Sequence, residues 1–473
     1  MLVSVLIVCL FFRLYKFPDF FDYNHDQDLN GWVIKDIAAD HHLRLIGYET
    51  RVPGIFIGPL YFYFLSPFYL ITNFNPLAVV FQTLVISLLT ALSIYYTFSK
   101  SFSKDVALVG AFIYSSSYPL AVFDRWTVPT QLVLVWSIWF LYCLSSVIKG
   151  DKNVYYFAGF LLAMIWNIHI TLFPLALLLF IAFLFSPRKN NGQNILKLAL
   201  SFFVFSSPFW LFEIRHHFEQ TISLFKYFSQ NETAVYISST QKGIMAIDGV
   251  KIALARPFQF LQSIPGTIVF LFAAMLLTYL KIKKVLQNST VILLISWLAI
   301  VMISQTISHS AISDYYFNSI LALSIMLSSL LIATLVKKQS AYIPLLLIIL
   351  IYNIFTFMQE KPLTYGFIQK QDIVNYIRGD AMDRNYPCIG VTYIAPPGQG
   401  VGFRFMLWRS GLKIVNPNNE VPVYNITIPT LRKVNEIKFD DIGLIVPPKE
   451  QKNISEDVCR KSENQPLPPL GFN

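Results

Sequence analysis

Between Asp22 and Arg51 the chain reads DYNHDQDLNGWVIKDIAADHHLRLIGYETR. Acids, bases and histidines crowd into this one stretch, and Asp26-Gln27-Asp28 is a D-x-D triplet at the head of a helical pattern carried by Trp32, Val33 and Ile37. A carboxylate aimed at a hydroxyl is a general base. Two carboxylates so spaced are also a possible site for a divalent cation, and an acid at a helix start is, at its plainest, a cap. Arg51, before Val52-Pro53, offers a guanidinium able to grip a phosphate in bidentate fashion; its plain alternative is a surface or headgroup contact. Three further groups carry chemistry-bearing side chains: Asp124-Arg125-Trp126, Glu213-Ile214-Arg215-His216, and His169 in the apolar turn WNIHIT. Arg125 and Arg215 are second-line phosphate ligands, or else a partner for Asp124 and an interfacial anchor. Glu213, His216 and His169 are candidates for substrate contact, and His169 is equally a packed, hydrogen-bonded histidine. No cysteine or acid stands at zinc-ligand spacing from the histidine pairs, so no metal centre is expected there.

The elements that must position these residues are membrane helices. Of 473 residues, 55% are hydrophobic and 14% charged, with 42 Phe and 25 Tyr; soluble domains carry roughly 25% charged residues. Apolar runs near bilayer length recur without strand-like alternation, which excludes a transmembrane barrel. Leu2–Leu14 lacks a basic start and a cleavage site and reads as a first helix, whose true start the sequence need not include. The aromatic stretch Gly58–Thr72, interrupted by Pro67, reads as an interfacial or re-entrant helix. Spans follow at Pro76–Phe98, Val106–Phe123, Gln131–Ile148, Val154–Ile168, Leu172–Phe185, Leu198–Phe212, Gly266–Leu280, Val291–Ile307, Tyr316–Val336 and Tyr342–Met358, about eleven in all.

The loops alternate in charge. Short connections at Lys100/Lys104, Lys149/Lys152, Arg188/Lys189/Lys197, Lys281/Lys283/Lys284 and Lys337/Lys338 hold twelve of the 37 basic residues and two of the 27 acids, so the whole net charge of +10 resides in them. The positive-inside rule makes them cytoplasmic. The basic balance therefore encodes topology and does not point to nucleic acid. All seven histidines fall on the opposite side, as do the long loops 15–57 and 213–265 and the tail. The expected organisation is a transmembrane domain over 1–358 with a cytoplasmic N-terminus, and a small extracytoplasmic α/β domain over 359–473. Cys388 and Cys459 both lie in that tail, where a disulfide and two free thiols are both open.

Five segments, in order, resemble the C-type (GT-C) membrane glycosyltransferases, in the branch of the protein O-mannosyltransferases and the lipid A aminoarabinose transferase. DQDLNGWVIKDI looks like the start of the first-loop helix of its bacterial members. GPLYFYFLSPF looks like the aromatic stretch before the second span, RWTVPTQLVLV like the turn after the third, NIHIT like a Q-x-H-x-T-like turn, and PFWLFEIRHHF like a P-x-x-x-F-E-x-R-H segment. The resemblance covers about residues 1–335. It implies an enzyme of the plasma (inner) membrane that moves a sugar from a polyprenyl-phosphate donor to an acceptor protein, lipid or glycan at the outer face, with inversion. On that reading Asp26 is the general base, Asp28 the alternative base or a metal partner, and Arg51 the phosphate ligand. Cofactor need is open, with a divalent cation at Asp26/Asp28 as the one option. Gln27 departs from relatives that have Glu there, which leaves Asp26 without an adjacent second acid.

Two other functions compete: a transporter or flippase of lipid-linked saccharides, and a non-catalytic membrane scaffold. No span interior from Pro76 onward carries Asp, Glu, Lys or Arg, whereas ion-coupled transporters place such groups at mid-membrane.

Overall fold

The computed structural model describes the chain apart from residues 51, 188–191, 230–238, 309–311, 336–338, 397–401, 418–419, 432–434, 449–455 and 465–473. Arg51 and the basic positions 188–189 and 337–338 thus lie outside the described residues. The chain is a helical, polytopic membrane protein with a small sheet near its C-terminus.

Helices run in the order α1 (Leu2–Leu14), α2 (His25–Ala38), α3 (Leu60–Ile71), α4 (Val79–Ser101), α5 (Lys104–Ser116), α6 (Tyr118–Asp124), α7 (Val133–Lys149), α8 (Val154–Ile168), α9 (Leu177–Leu184), α10 (Gly192–Phe205), α11 (Ser207–Arg215), α12 (Glu219–Ser229), α13 (Ser239–Ala255), α14 (Gln259–Gln262), α15 (Gly266–Ile282), α16 (Asn288–Ile307), α17 (Leu321–Leu335) and α18 (Gln339–Gln359). The tail adds α19 (Phe367–Asp383), β1 (Gly390–Ile394), α20 (Arg404–Arg409), β2 (Val423–Thr427), β3 (Glu436–Phe439), β4 (Ile442–Ile445) and α21 (Glu456–Lys461).

Each of the eleven expected spans is helical. Among the described residues, Pro76–Ser101, Pro129–Lys149, Asn288–Ile307, Asp314–Leu335 and Tyr342–Gln359 are each long and apolar enough to cross a membrane. Two further candidates are bent pairs: α5 and α6 meet at 66°, α10 and α11 at 60°. Both bends have a sequence cause. Pro119 and Pro208 sit in the first turn of the second helix, where the missing N–H and the ring end the preceding helix. Leu2–Leu14, Val154–Ile168, Ile170–Phe185 and Gly266–Ile282 are shorter apolar helices.

The stretch 213–265, read from sequence as an outer loop, contains α12 and α13. Helix α13 packs against α15, α16 and α17, and its Ala246, Val250, Ala253 and Leu254 are buried in the same core as the spanning helices. Its Lys242 is buried, with its ammonium on the Ser308 carbonyl at 2.5 Å.

The tail sheet has strand order β1-β2-β4-β3, with β1 and β2 parallel and the other pairs antiparallel. Cys388 and Cys459 form a disulfide with Cα atoms 5.8 Å apart. The tail does not stand by itself. Ile373, Ile377, Phe403, Phe405, Tyr424 and Leu444 share one hydrophobic core with Phe21, Tyr23, Leu29, Trp32, Phe62 and Tyr69 of the N-terminal loop and α3. At about 1.5–3 kcal/mol for each fully buried large side chain, that joint core fixes the loop to the tail. At Gly31 a Cβ would lie 2.5 Å from the buried Phe405 ring, so a larger residue there would push α2 off the tail.

Candidate functional site

Helix α2 begins at His25, and its capping group is Asn24. The Asn24 N–H donates to Gln27 Oε1 at 2.9 Å, while Gln27 Nε2 reaches the Thr127 carbonyl at 3.5 Å. The position uses both halves of an amide, an acceptor for the cap and a donor for the carbonyl; a glutamate could not donate the second bond. Asn30 Nδ2 donates to the same carbonyl at 3.1 Å, and Tyr48 Oη donates to the Asp26 carbonyl at 3.1 Å and to Asn30 Oδ1. The helix start is thus pinned to the α6–α7 connection and to its own loop.

Most acids of the loop are engaged. Asp22 Oδ1 accepts from Asn24 Nδ2 at 2.6 Å. Asp28 is buried and its Oδ1 accepts from the Phe405 N–H at 3.0 Å and from Tyr23 Oη at 3.4 Å. Asp36 accepts from Arg44 Nε at 2.5 Å and pairs with His42 Nδ1 at 2.7 Å; burial pushes its carboxyl up, but these bonds outweigh it and leave the group below the usual range. Asp40 pairs with Lys35, and Glu49 Oε1 accepts from the Gly54 N–H at 2.8 Å. The Asp26 carboxylate accepts no hydrogen bond from any of the described residues. Burial raises its pKa, opposed by neighbouring His25. A raised pKa strengthens a carboxylate as a base.

The rest of the loop is seated on the bundle. Residues 47–57 fold back on themselves, Gly47 N–H to the Ile57 carbonyl at 2.6 Å and Thr50 N–H to the Ile55 carbonyl at 2.7 Å. Trp166 Nε1 donates to the Phe56 carbonyl at 2.8 Å, and the Gly58 N–H to the Trp166 carbonyl at 2.9 Å. The Phe56 N–H donates to Gln220 Oε1 at 2.8 Å. Glu213 holds that contact in place: fully buried, it accepts from the Gln220 and Thr221 N–H groups at 3.2 and 3.0 Å and so caps α12. Arg215 and His216 are exposed at the C-terminal end of α11, with His216 stacked on Phe212 at 4.1 Å. His169 caps the 3-10 turn that follows α8 through Thr171, and packs against Tyr315 and Tyr316.

Arg125 and Asp124 do not pair with each other. Arg125 is 2% exposed, donates from Nη2 to the carbonyls of Phe12 and Tyr15 at 2.7 and 2.8 Å, and sets its guanidinium among Phe17, Phe20 and Phe357. It thereby closes the C-terminal end of α1. Asp124 instead takes Arg13, at 2.8 Å from Nη2, and Tyr114 Oη at 2.7 Å. The Asp26/Asp28 option for a divalent cation does not fit this arrangement. Residues two apart on a helix do not face each other, Asp28 is committed to the tail, and no cluster of three or more His, Cys, Asp or Glu able to hold a metal occurs among the described residues.

Two further cations, outside the candidates named from the sequence, are bound within the fold. Lys370, 2% exposed, donates to the Tyr23 carbonyl and to Asn24 Oδ1. Arg256 donates to Asn318 Oδ1 at 2.8 Å.

Asp28 gives the fold a pH dependence. Burial lifts its carboxyl to about 7, against the Phe405 N–H, Lys370 and Arg404, which favour the charged form. An unfolded aspartate titrates near 4, so between these values the folded chain holds the extra proton and stability falls as pH rises. We expect a lower thermal midpoint at pH 8 than at pH 6, and Asp28→Asn, which can still accept from Phe405, to remove much of that difference. Melting curves of the variant that keep the full wild-type slope would discard this source.

Residues 56–212 match the family model for dolichyl-phosphate-mannose-protein mannosyltransferase. A comparison with curated proteins finds no match. Among solved structures, ArnT from Cupriavidus metallidurans bound to undecaprenyl phosphate aligns with a TM-score of 0.62 at 11% identity, over 96% of this chain and 98% of that one. Its apo state gives 0.60 at 10% identity over the same shares. The chain therefore has the GT-C fold in its ArnT-like form, and residues 56–212 of it are similar to the mannosyltransferase family model.

Proposed function

We propose that the chain is a membrane glycosyltransferase that takes a sugar from a polyprenyl-phosphate donor at the outer face of the plasma membrane, with Asp26 as general base. The observation that carries this is the state of Asp26: a half-buried carboxylate of raised pKa, in a turn held from three sides, with no hydrogen-bonding partner among the described residues. The ArnT likeness supports the donor class, since that protein binds undecaprenyl phosphate. The acceptor hydroxyl loses its proton to Asp26 as its oxygen attacks the anomeric carbon. The bond to phosphate oxygen breaks on the opposite side, which inverts the centre. Polyprenyl phosphate leaves as a stable anion and needs no general acid.

The phosphate calls for cations. Arg51 is the proposed ligand, with exposed Arg215 and buried Arg125, of which Nη2 alone is engaged by the α1 carbonyls, as the further candidates. Glu213 acts by seating the loop, and His169 and His216 remain candidate sugar or acceptor contacts. The test is incubation of purified full-length protein with a panel of polyprenyl-phosphate sugars and with protein, lipid and glycan acceptors, following release of polyprenyl phosphate. Release with at least one donor is expected; none with any pair discards the reading. In the same assay Arg51→Ala should raise the donor KM and cost about ten- to a hundredfold in kcat/KM, as loss of a charge-assisted bond of about 1.5–3 kcal/mol implies; an unchanged value transfers the role to Arg215.

The proposed orientation puts the basic loops inside and the tail outside. A cysteine placed at Ser340 should resist an impermeant thiol reagent in intact cells, and one at Ser410 should react. The opposite pattern would reverse the faces.

A further inference from the structure

Lys370 lies in the first turn of α19, yet its ammonium is buried against the N-terminal loop. It donates to the Tyr23 carbonyl and to Asn24 Oδ1 at 3.4 Å, and sits 5.6 Å over the Phe403 ring. Asn24 in turn caps α2 and holds Asp22. Gly402 makes room for this: its φ is +59°, and a Cβ there would stand 2.9 Å from the Tyr23 carbonyl oxygen and 3.1 Å from Lys370 Nζ. On the far side of Asp26, the Phe405 N–H holds Asp28. The tail thus grips the first turn of α2 both before and after Asp26.

Burying an ammonium is costly unless it is paired. Burial pulls this one down to about 8, while Asp22 and Asp28 hold it up. A hydrophobic residue would fill such a position at lower cost, so a role beyond packing is indicated.

We propose that Lys370, supplied by the C-terminal domain, is a positioning residue of the transfer site, which fixes the Tyr23–Asn24 turn and thereby where the Asp26 carboxylate stands. The proposal rests on the reading of Asp26 as the base. The C-terminal domain is then part of the catalytic apparatus, and the transmembrane portion alone is incomplete.

Lys370→Met keeps the stem and removes the ammonium; Lys370→Arg keeps charge and donors. Two measurements are made on full-length protein: release of polyprenyl phosphate from the donor that the panel selects, and hydrogen–deuterium exchange, which needs no substrate. For Lys370→Met we expect kcat to fall on the order of 10²-fold, the scale of a misplacement of about 1 Å, with donor KM unchanged. Amides of residues 24–30 should exchange faster while those of α4 keep their protection, and Lys370→Arg should recover part of both. Full turnover in Lys370→Met overturns the proposal, whatever the exchange. So does faster exchange throughout α4 and α19, which marks a merely structural lysine. Asp26→Asn, run alongside, separates the two ideas: if it transfers normally, the base assignment has failed, and the catalytic form of the Lys370 proposal fails with it. Unchanged exchange at 24–30 in Lys370→Met removes the positioning claim independently.

Discussion

Asp26→Asn should abolish sugar transfer while leaving the fold and donor binding close to wild type. The substitution keeps the size and shape of the side chain and removes its ability to take a proton. General-base catalysis contributes typically 10²–10⁴-fold, so kcat should fall at least that far. The plainer role for an acid here, capping of α2, belongs to Asn24 and Gln27, so no loss of helix stability should accompany the loss of rate. Asp28→Asn provides the internal comparison. Its carboxylate is occupied by the tail, so this variant should change stability and pH response far more than chemistry. Burst kinetics and circular dichroism on both variants decide the matter. An active Asp26→Asn beside an inactive Asp28→Asn would move the base two residues along, and two active variants would end the enzymatic reading of this loop.

The second large effect is expected at Arg13, on stability. Its guanidinium is fully buried and binds Asp124 through Nε and Nη2, the Ser115 carbonyl at 2.7 Å and the Tyr114 carbonyl at 3.1 Å. It also lies 4.6 Å over the Tyr114 ring. One side chain therefore joins α1, the end of α5 and the end of α6, and satisfies carbonyls freed where α5 breaks. Arg13→Met would leave a buried carboxylate without its cation, still accepting from Tyr114 Oη. Removing one partner of a buried ion pair costs about 3–5 kcal/mol, which should appear as a large drop in thermal midpoint in detergent. Asp124→Asn should cost less, because Arg13 keeps its two carbonyls. Adding Asp124→Leu to Arg13→Met should restore part of the loss, since the orphaned charge is then gone. A melting point unchanged in Arg13→Met would mean that the pair is already solvated.

What the sequence made legible is what repeats locally. Apolar runs disclosed the spans, but Val106–Phe123 and Leu198–Phe212 read as unbroken although Pro119 and Pro208 bend them. Asp26 stood out because a carboxylate opens a helix pattern in the one acid-rich loop before the second span. Helix α13 was legible in principle: Ala246, Val250, Ala253 and Leu254 recur at helical spacing, and three charges hid the stripe. Contacts between distant positions leave no local pattern. Arg13 meets Asp124 across 111 residues, and Lys370 meets Tyr23 across 347. Either cation, taken alone, reads as an ordinary helix-end charge. The pairing of Cys388 with Cys459 was equally open, because 71 positions separate them and only the packing of the tail brings them together.

The joint core of loop and tail also sets a timetable. Phe405 leaves the ribosome 377 residues after Asp28. At about 5–20 residues per second, the first loop waits on the order of 20–75 s before the segment that locks it exists. During that wait Phe21, Tyr23, Trp32 and Tyr69 lack the tail surface that completes their core. A chain cut short in synthesis would carry every spanning helix and still lack the lock on its N-terminal turn. The contacts that hold the first turn of α2 from the tail are therefore made only once residues 370–405 have been synthesised.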